Sequence, residues 1–148
     1  MRHVERRHTI TLAGPVDTVF QLFSPRGETR WVSGWSPEYL FPETGATCEG
    51  MVFRTGEGTE ATLWTCVEWD TQRCKARYVR ITPTSRLGLV TVLCRPAPDG
   101  RTTATVHYAF TALSSSGEGF LDTFTGDAFS AMIDGWQTDI NHSLQSSA

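Results

Sequence analysis

Residues 102–144 read TTATVHYAFTALSSSGEGFLDTFTGDAFSAMIDGWQTDINHSL, and the period of the apolar residues changes in the middle of this stretch. From Ala104 to Phe110, apolar side chains alternate with polar ones, which predicts a half-buried β-strand over 102–113. Ser115-Ser116-Gly117-Glu118 has the form of a capping box, which marks a helix start. The apolar residues that follow at helical spacing predict one long amphipathic helix to the C-terminus; they are Phe120, Leu121, Phe124, Phe129, Met132, Ile133, Trp136, Ile140 and Leu144.

Upstream of this stretch, the pattern predicts four further strands, over 50–55, 61–70, 73–82 and 88–96. The segments between them are short and rich in Gly, Pro, Asp, Ser and Thr, the residues that favour turns. Strands joined by such short turns pair antiparallel with their neighbours. The middle of the chain is therefore predicted to be an antiparallel meander.

The N-terminal part of the chain begins with a predicted strand, His3–Leu12, in which apolar and polar residues alternate. Gly14-Pro15 ends this strand, and Val16, Val19, Phe20 and Phe23 then share one face of a short helix. A second helical stretch is predicted over 28–32, before Gly34 and Pro37 turn the chain, and a short extended piece over 38–41 follows.

Length and composition fit one domain over residues 1–148, with 39% hydrophobic and 11% aromatic residues. This composition excludes disordered and coiled-coil classes. Thirteen basic residues against sixteen acidic ones give a net charge of −3, which is not the charge of a nucleic-acid-binding protein. No apolar run is long enough for a membrane span and no secretory signal precedes the first strand, so we expect a cytoplasmic protein.

Metal and cofactor chemistry is not indicated by the cysteine and histidine positions. The four cysteines lack a CxxC spacing, so we expect reduced core residues. The four histidines show no metal-ligand motif, so no metal is predicted. The segment 56–61 matches GxGxxA but precedes a strand, whereas a dinucleotide site needs a helix N-terminus there, so no cofactor is predicted.

The order of elements, together with four segments, resembles the helix-grip fold of the START-like (SRPBCC) superfamily. The segments are GPVDTVF at 14–20, RWVSGW at 30–35, GMVFRT at 50–55 and YAFTAL at 108–113. The resemblance extends over the whole chain and points to the polyketide cyclase/dehydratase-like or Hsp-ATPase-activator-like branch. It implies an α+β fold, with a curved antiparallel sheet of six or seven strands around a long C-terminal helix and two short helices after the first strand.

The resemblance also implies a cavity between the sheet and the long helix that holds an apolar or amphipathic small molecule. If the helix packs on the sheet, Phe124, Met132, Ile133 and Trp136 are expected to be buried. Side chains that point inward from the sheet would then line the cavity.

Alternation within the strand 73–82 places Tyr78 and Arg80 on its inner face, because Arg73, Lys75 and Arg77 on the other face suit solvent. The same argument turns Tyr108 inward. An apolar cavity with a few polar groups is the usual form of a small-molecule site. In the alternative interpretation, Arg80 pairs with a buried carboxylate such as Glu68, and the tyrosines hydrogen-bond to backbone carbonyls.

Aromatic residues extend this candidate site, since flat apolar faces suit planar or acyl ligands. Trp35 falls at the expected rim of the cavity beside Trp31, Trp64 falls on the sheet and Trp136 on the long helix. Alternatively, these rings serve only as core. The predicted ligand-binding residues are Phe20, Trp35, Trp64, Tyr78, Arg80, Tyr108 and Trp136.

The leading functional hypothesis is a protein that binds a small hydrophobic or aromatic molecule, lipid-like or polyketide-like, with Arg80 and Tyr108 orienting its polar end. A first alternative is a cyclase or dehydratase that acts on such a ligand. Its acid or base would be drawn from Glu28, Tyr78, Arg80 and Tyr108, which form no recognisable catalytic pair. A second alternative is a protein-interaction module. The expected partner is the small molecule, with a homodimer also possible.

Overall fold

The architecture, taken from a computed structural model that describes residues 1–146, is a seven-stranded antiparallel sheet with helices on its inner side. The strands are β1 (His3–Leu12), β2 (Glu38–Phe41), β3 (Val52–Thr55), β4 (Thr62–Asp70), β5 (Lys75–Thr82), β6 (Arg86–Ala97) and β7 (Arg101–Ala112). The helices are α1 (Val16–Gln21), α2 (Pro25–Glu28), α3 (Ser115–Thr123) and α4 (Gly126–Ser146). The predicted α+β class, the seven-stranded sheet and the two short helices after β1 are confirmed.

The strand order is β1-β7-β6-β5-β4-β3-β2, so the meander from β2 to β7 is completed by β1, which pairs with β7. Alternation along β7 is as predicted, because Ala104, Val106, Tyr108 and Phe110 are all buried. The same face continues across the neighbouring strands. Arg80 of β5 lies opposite Gly88 of β6, and Gly88 lies opposite Phe110 of β7. The predicted inner faces of β5 and β7 therefore form one continuous surface.

Helix α2 begins earlier than the stretch predicted over 28–32, so that prediction was wrong in position. Ser24-Pro25, which resembles a helix end, is instead a helix start: the Ser24 hydroxyl accepts a hydrogen bond from the Gly27 N–H at 2.9 Å, and Pro25 takes the first helical position. Gly27 packs so closely on the end of α1 that a Cβ there would lie 2.1 Å from the Gln21 carbonyl oxygen. This contact fixes Glu28, the last residue of α2.

The predicted single C-terminal helix is two helices, because the chain leaves helical geometry at Phe124 (φ −89°, ψ 56°). Thr125 then caps α4, its hydroxyl accepting a hydrogen bond from the Ala128 N–H at 3.1 Å. The predicted burial is correct for Phe124 and Ile133, whereas Met132 is 37% exposed and Trp136 is only partly buried. The other predicted apolar residues of α4 do face the core: Phe129 and Ile140 are buried, and Leu144 packs against the core, so Met132 alone falls outside this face.

Helix α4 packs along β1 and covers that edge of the sheet. The Gln137 and Asn141 side chains accept hydrogen bonds from the Thr11 and Ala13 N–H groups, each at 2.9 Å. These backbone N–H groups face away from β7 and would otherwise have no hydrogen-bond partner within the sheet. Among the helices in residues 1–146, none combines the length and apolarity needed to cross a membrane.

Candidate functional site

A cavity of about 120 Å³ lies between the inner face of the sheet, the α2 region and α4. Side chains from every strand between β3 and β7 reach it, so the curved sheet forms most of its wall. The lining residues are Phe23, Pro25, Glu28, Trp31, Val32, Trp35, Phe53, Trp64, Tyr78, Arg80, Val90, Val92, Tyr108 and Trp136. The wall is thus predominantly aromatic and aliphatic, with a small number of polar groups.

Six of the seven predicted ligand-binding residues line this cavity: Trp35, Trp64, Tyr78, Arg80, Tyr108 and Trp136. Phe20, the seventh, is not among the lining residues. It is fully buried and stacks on Trp69, with ring centroids 4.3 Å apart. Helix α1 is short, and its Phe20 face packs against the part of the sheet where β4 ends, away from the cavity wall.

Hydrogen bonds to the backbone fix the orientation of the aromatic wall. The indole N–H of Trp35 donates to the Pro25 carbonyl and that of Trp31 to the Leu22 carbonyl, each at 2.8 Å. Trp64 stacks on Phe53 with 5.5 Å between centroids. Trp31 and Trp35 therefore serve as packed core and as cavity wall at once, and the apolar surface is preformed.

Arg80 carries the positive charge of the cavity. Its guanidinium lies 4.4 Å from the centre of the Trp64 ring and 5.6 Å from that of Phe110. Its Nε is buried without a hydrogen-bond partner, and within residues 1–146 no carboxylate lies at ion-pair distance from it. Burial lowers the pKa of Arg80 from its ordinary value.

The alternative partner for Arg80, Glu68, is used elsewhere. Its carboxylate lies 3.6 Å from the Lys75 ammonium. A register shift in β4 between Cys66 and Glu68 changes the alternation there, so Glu68 pairs with Arg77 across the ladder. The interpretation in which Glu68 neutralises Arg80 is therefore wrong.

Arg86, which the sequence pattern assigned to a turn, is a buried arginine at the same end of the sheet as the half-buried Arg80. Its guanidinium is 3.0 Å from the Glu60 carboxylate and 3.5 Å from the centre of the Phe120 ring. Arg86 therefore has an ion-pair partner that Arg80 lacks.

Glu28 faces the same cavity from the end of α2. Burial raises the pKa of its carboxyl well above the ordinary value, and the positive charge of Arg80 opposes this effect. The neutral acid is thus favoured at a pH where an exposed glutamate is ionised. Glu28 was named as a possible acid in the sequence but not as a ligand-binding residue, because its position depends on where α2 begins.

We expect Glu28→Gln to stabilise the protein at pH 8 by about 1–3 kcal/mol, the usual cost of desolvating a polar or charged group without a full partner. A folded-state pKa above the unfolded value means that the folded state binds more protons, so stability falls as pH rises through that window. Below the unfolded pKa the two proteins should therefore converge. Urea unfolding of both proteins at pH 4 and pH 8 measures this, and a wild-type stability equal to that of the variant at both pH values would contradict it.

The two tyrosines of the cavity differ in what their hydroxyls do. The Tyr78 hydroxyl donates to the Phe23 carbonyl at 2.9 Å, so for this residue the backbone-bonding interpretation is confirmed. The Tyr108 hydroxyl lies beside Arg80, and burial raises its pKa to about 12. Tyr108 therefore stays protonated at neutral pH, next to the charged residue that the sheet brings to the cavity.

The chain resembles several solved structures in fold. Norcoclaurine synthase from Thalictrum flavum, in complex with dopamine and hydroxybenzaldehyde, matches with a TM-score of 0.68 and 12% identity, over 99% of this chain and 89% of that one. TTHA0849 from Thermus thermophilus matches with a TM-score of 0.67 and 12% identity, over 98% and 99%. Zhui aromatase/cyclase from Streptomyces sp. R1128 matches with a TM-score of 0.58 and 21% identity, over 98% and 92%.

No protein-family model matches the sequence, and no curated protein does. At these identities the structural matches establish the fold alone. The seven-stranded antiparallel sheet, the short helices after β1 and the long C-terminal helix match the helix-grip fold. The chain has the helix-grip fold of START-like (SRPBCC) proteins, as its sequence segments implied.

Proposed function

We propose that this protein binds a small hydrophobic or aromatic molecule in the cavity between the sheet and α4. The observation that carries the proposal is a largely aromatic cavity into which Arg80 brings a charge that has no carboxylate at ion-pair distance among residues 1–146. A buried guanidinium is costly unless a partner satisfies it, whereas apolar walls alone need none. A ligand with an apolar body and a polar end meets both requirements.

The size of the cavity favours a ligand of about one aromatic ring. A dry apolar cavity of roughly 150 Å³ accommodates benzene, and typical drug-sized pockets have about 300–1,000 Å³. At about 120 Å³, this cavity is slightly smaller than the first value and well below the second. A long acyl chain or several fused rings would require the wall to move.

Filling the cavity is expected to abolish binding while the fold is kept. Val90 lines the cavity from β6, so Val90→Phe places a ring where the ligand would lie. A ligand at a hundredfold over its dissociation constant stabilises the folded state by about 2.7 kcal/mol, which a thermal-shift assay with single-ring aromatic compounds measures. Compounds that stabilise the wild type should not stabilise Val90→Phe.

The matched control is Leu87→Phe, on the outer face of the same strand, where Leu87 is 38% exposed. It should respond to ligand as the wild type does. Unchanged ligand-induced shifts in Val90→Phe would place binding outside the cavity. If no aromatic compound stabilises the wild type, the proposed function fails.

A cyclase- or dehydratase-type enzyme is the second candidate, and Glu28 is the observation that favours it. Its carboxyl, whose pKa is raised by burial so that the neutral form is favoured, shares the cavity with Arg80 and the Tyr108 hydroxyl. A neutral acid beside a cation can protonate the oxygen of a bound carbonyl or of a departing hydroxyl. The structural neighbours include proteins named as a synthase and as an aromatase/cyclase. Mass spectrometry of a bound compound after incubation tests this: Glu28→Gln should retain binding and lose conversion.

A further inference from the structure

We propose that the ligand is a single-ring aromatic carboxylic acid, whose carboxylate pairs with Arg80. This inference rests on the proposed function and specifies its ligand class. It follows from the polar groups of the cavity, from its charge and from its volume.

The polar groups that remain for a ligand are hydrogen-bond donors. The Tyr78 hydroxyl already donates to the Phe23 carbonyl, and the indole N–H groups of Trp31 and Trp35 donate to backbone carbonyls. The remaining groups are the Arg80 guanidinium and the Tyr108 hydroxyl, which interact with each other but keep further N–H and O–H groups, and the Glu28 carboxyl. When Glu28 is neutral, all three can donate a proton to a hydrogen bond, so the matching ligand end is an acceptor.

The lining contains one cation, Arg80, whereas burial disfavours the ionised form of its one carboxyl group, that of Glu28, so a positive charge is favoured in the cavity. An anion is therefore attracted and an amine is repelled. Guanidinium groups bind carboxylates through two parallel N–H···O bonds, which gives geometric as well as electrostatic preference. Arg86, near the same end of the sheet, shows such a pairing with a carboxylate, that of Glu60, at 3.0 Å.

The walls and the volume define the rest of the ligand. Trp35, Trp64 and Trp136 line the cavity from the segment after α2, from β4 and from α4, and such apolar walls suit a planar ring. The volume of about 120 Å³ is close to the roughly 150 Å³ of a cavity that accommodates benzene, so one ring is the best match. Two fused rings would exceed it.

Isothermal titration calorimetry at pH 7 with four probes tests the inference: benzoate, benzamide, benzylamine and 2-naphthoate. Benzoate should bind at least tenfold more tightly than its neutral isostere benzamide, and benzylamine and 2-naphthoate more weakly than benzoate. Arg80→Met should weaken benzoate binding at least tenfold and change benzamide binding less than twofold. Arg77→Met, on the outer face of β5, is the matched control and should leave both affinities unchanged.

Other outcomes overturn the inference. Equal affinity for benzamide and benzoate, or full benzoate affinity in Arg80→Met, would show that binding does not depend on a carboxylate paired with Arg80. Tighter binding of 2-naphthoate than of benzoate would remove the single-ring limit. If Arg80→Met does not fold, Arg80→Lys keeps the charge without the two parallel bonds and should still weaken benzoate binding. A protein that binds other aromatic compounds but none of these four retains the proposed function and loses this inference.

Discussion

Phe129→Ala is expected to destabilise the protein by about 3–5 kcal/mol, the usual cost of removing a fully packed phenylalanine ring. Phe129 is 1% exposed, and its ring packs edge-on against Tyr108 and beside Phe124, with centroids 5.4 Å and 5.5 Å away. The contact holds α4 on β7, so truncation leaves a void that the rigid sheet cannot close. The denaturant midpoint in urea measures the loss.

The control for this prediction is Met132→Ala, on the same helix but with a side chain that is 37% exposed. Its effect should stay below about 1 kcal/mol, since surface substitutions cost little. Equal effects of the two variants would mean that α4 does not pack on the sheet as described.

Gly117→Ala is the second change with a large expected effect. An added Cβ would lie 1.8 Å from the Ser85 carbonyl oxygen, which accepts a hydrogen bond from the Leu113 N–H at 2.7 Å. Relief of this overlap requires backbone movement, because neither neighbour is a flexible side chain. We expect a loss of about 3 kcal/mol, the upper part of the range for overpacked sites.

The matched control is Gly119→Ala in the same helix, where an added Cβ meets nothing within 4 Å. It should stabilise the protein by about 0.5–1 kcal/mol, because alanine favours helix over glycine. Thermal unfolding of the two variants measures the difference in sign. A Gly117→Ala variant as stable as Gly119→Ala would refute the close approach of α3 to Ser85.

The sheet could be predicted from the sequence because its signals are local. Alternation in β5 and β7 determines which side chains face inward, and short turns with proline and glycine determine which strands pair. The position of α2 and the break before α4 depend on a few residues that are compatible with more than one local structure. Ser24-Pro25 can end one helix or start another, and Thr125 is a cap only if the chain has already left the helix at Phe124.

The part of the site that lies on strands was predictable from alternation alone, whereas Trp35 and Trp136 were expected there because of the resemblance to the helix-grip fold. Tyr78, Arg80 and Tyr108 follow from alternation, and the structure brings them to one cavity. Glu28 was missed as a lining residue because its direction depends on the start of α2. The Glu68 alternative failed for a similar reason, since one irregularity in β4 changed the face of a single carboxylate.

Four of the five tryptophans line one small cavity, and the fifth, Trp69, is stacked on Phe20 outside it. Indole emission responds to the polarity and the charges around the ring. Any molecule that enters the cavity therefore changes the surroundings of most of the fluorophores in the chain at once. The protein carries its own optical reporter of occupancy, and Trp69→Phe would remove the one emitter that is not in contact with the cavity.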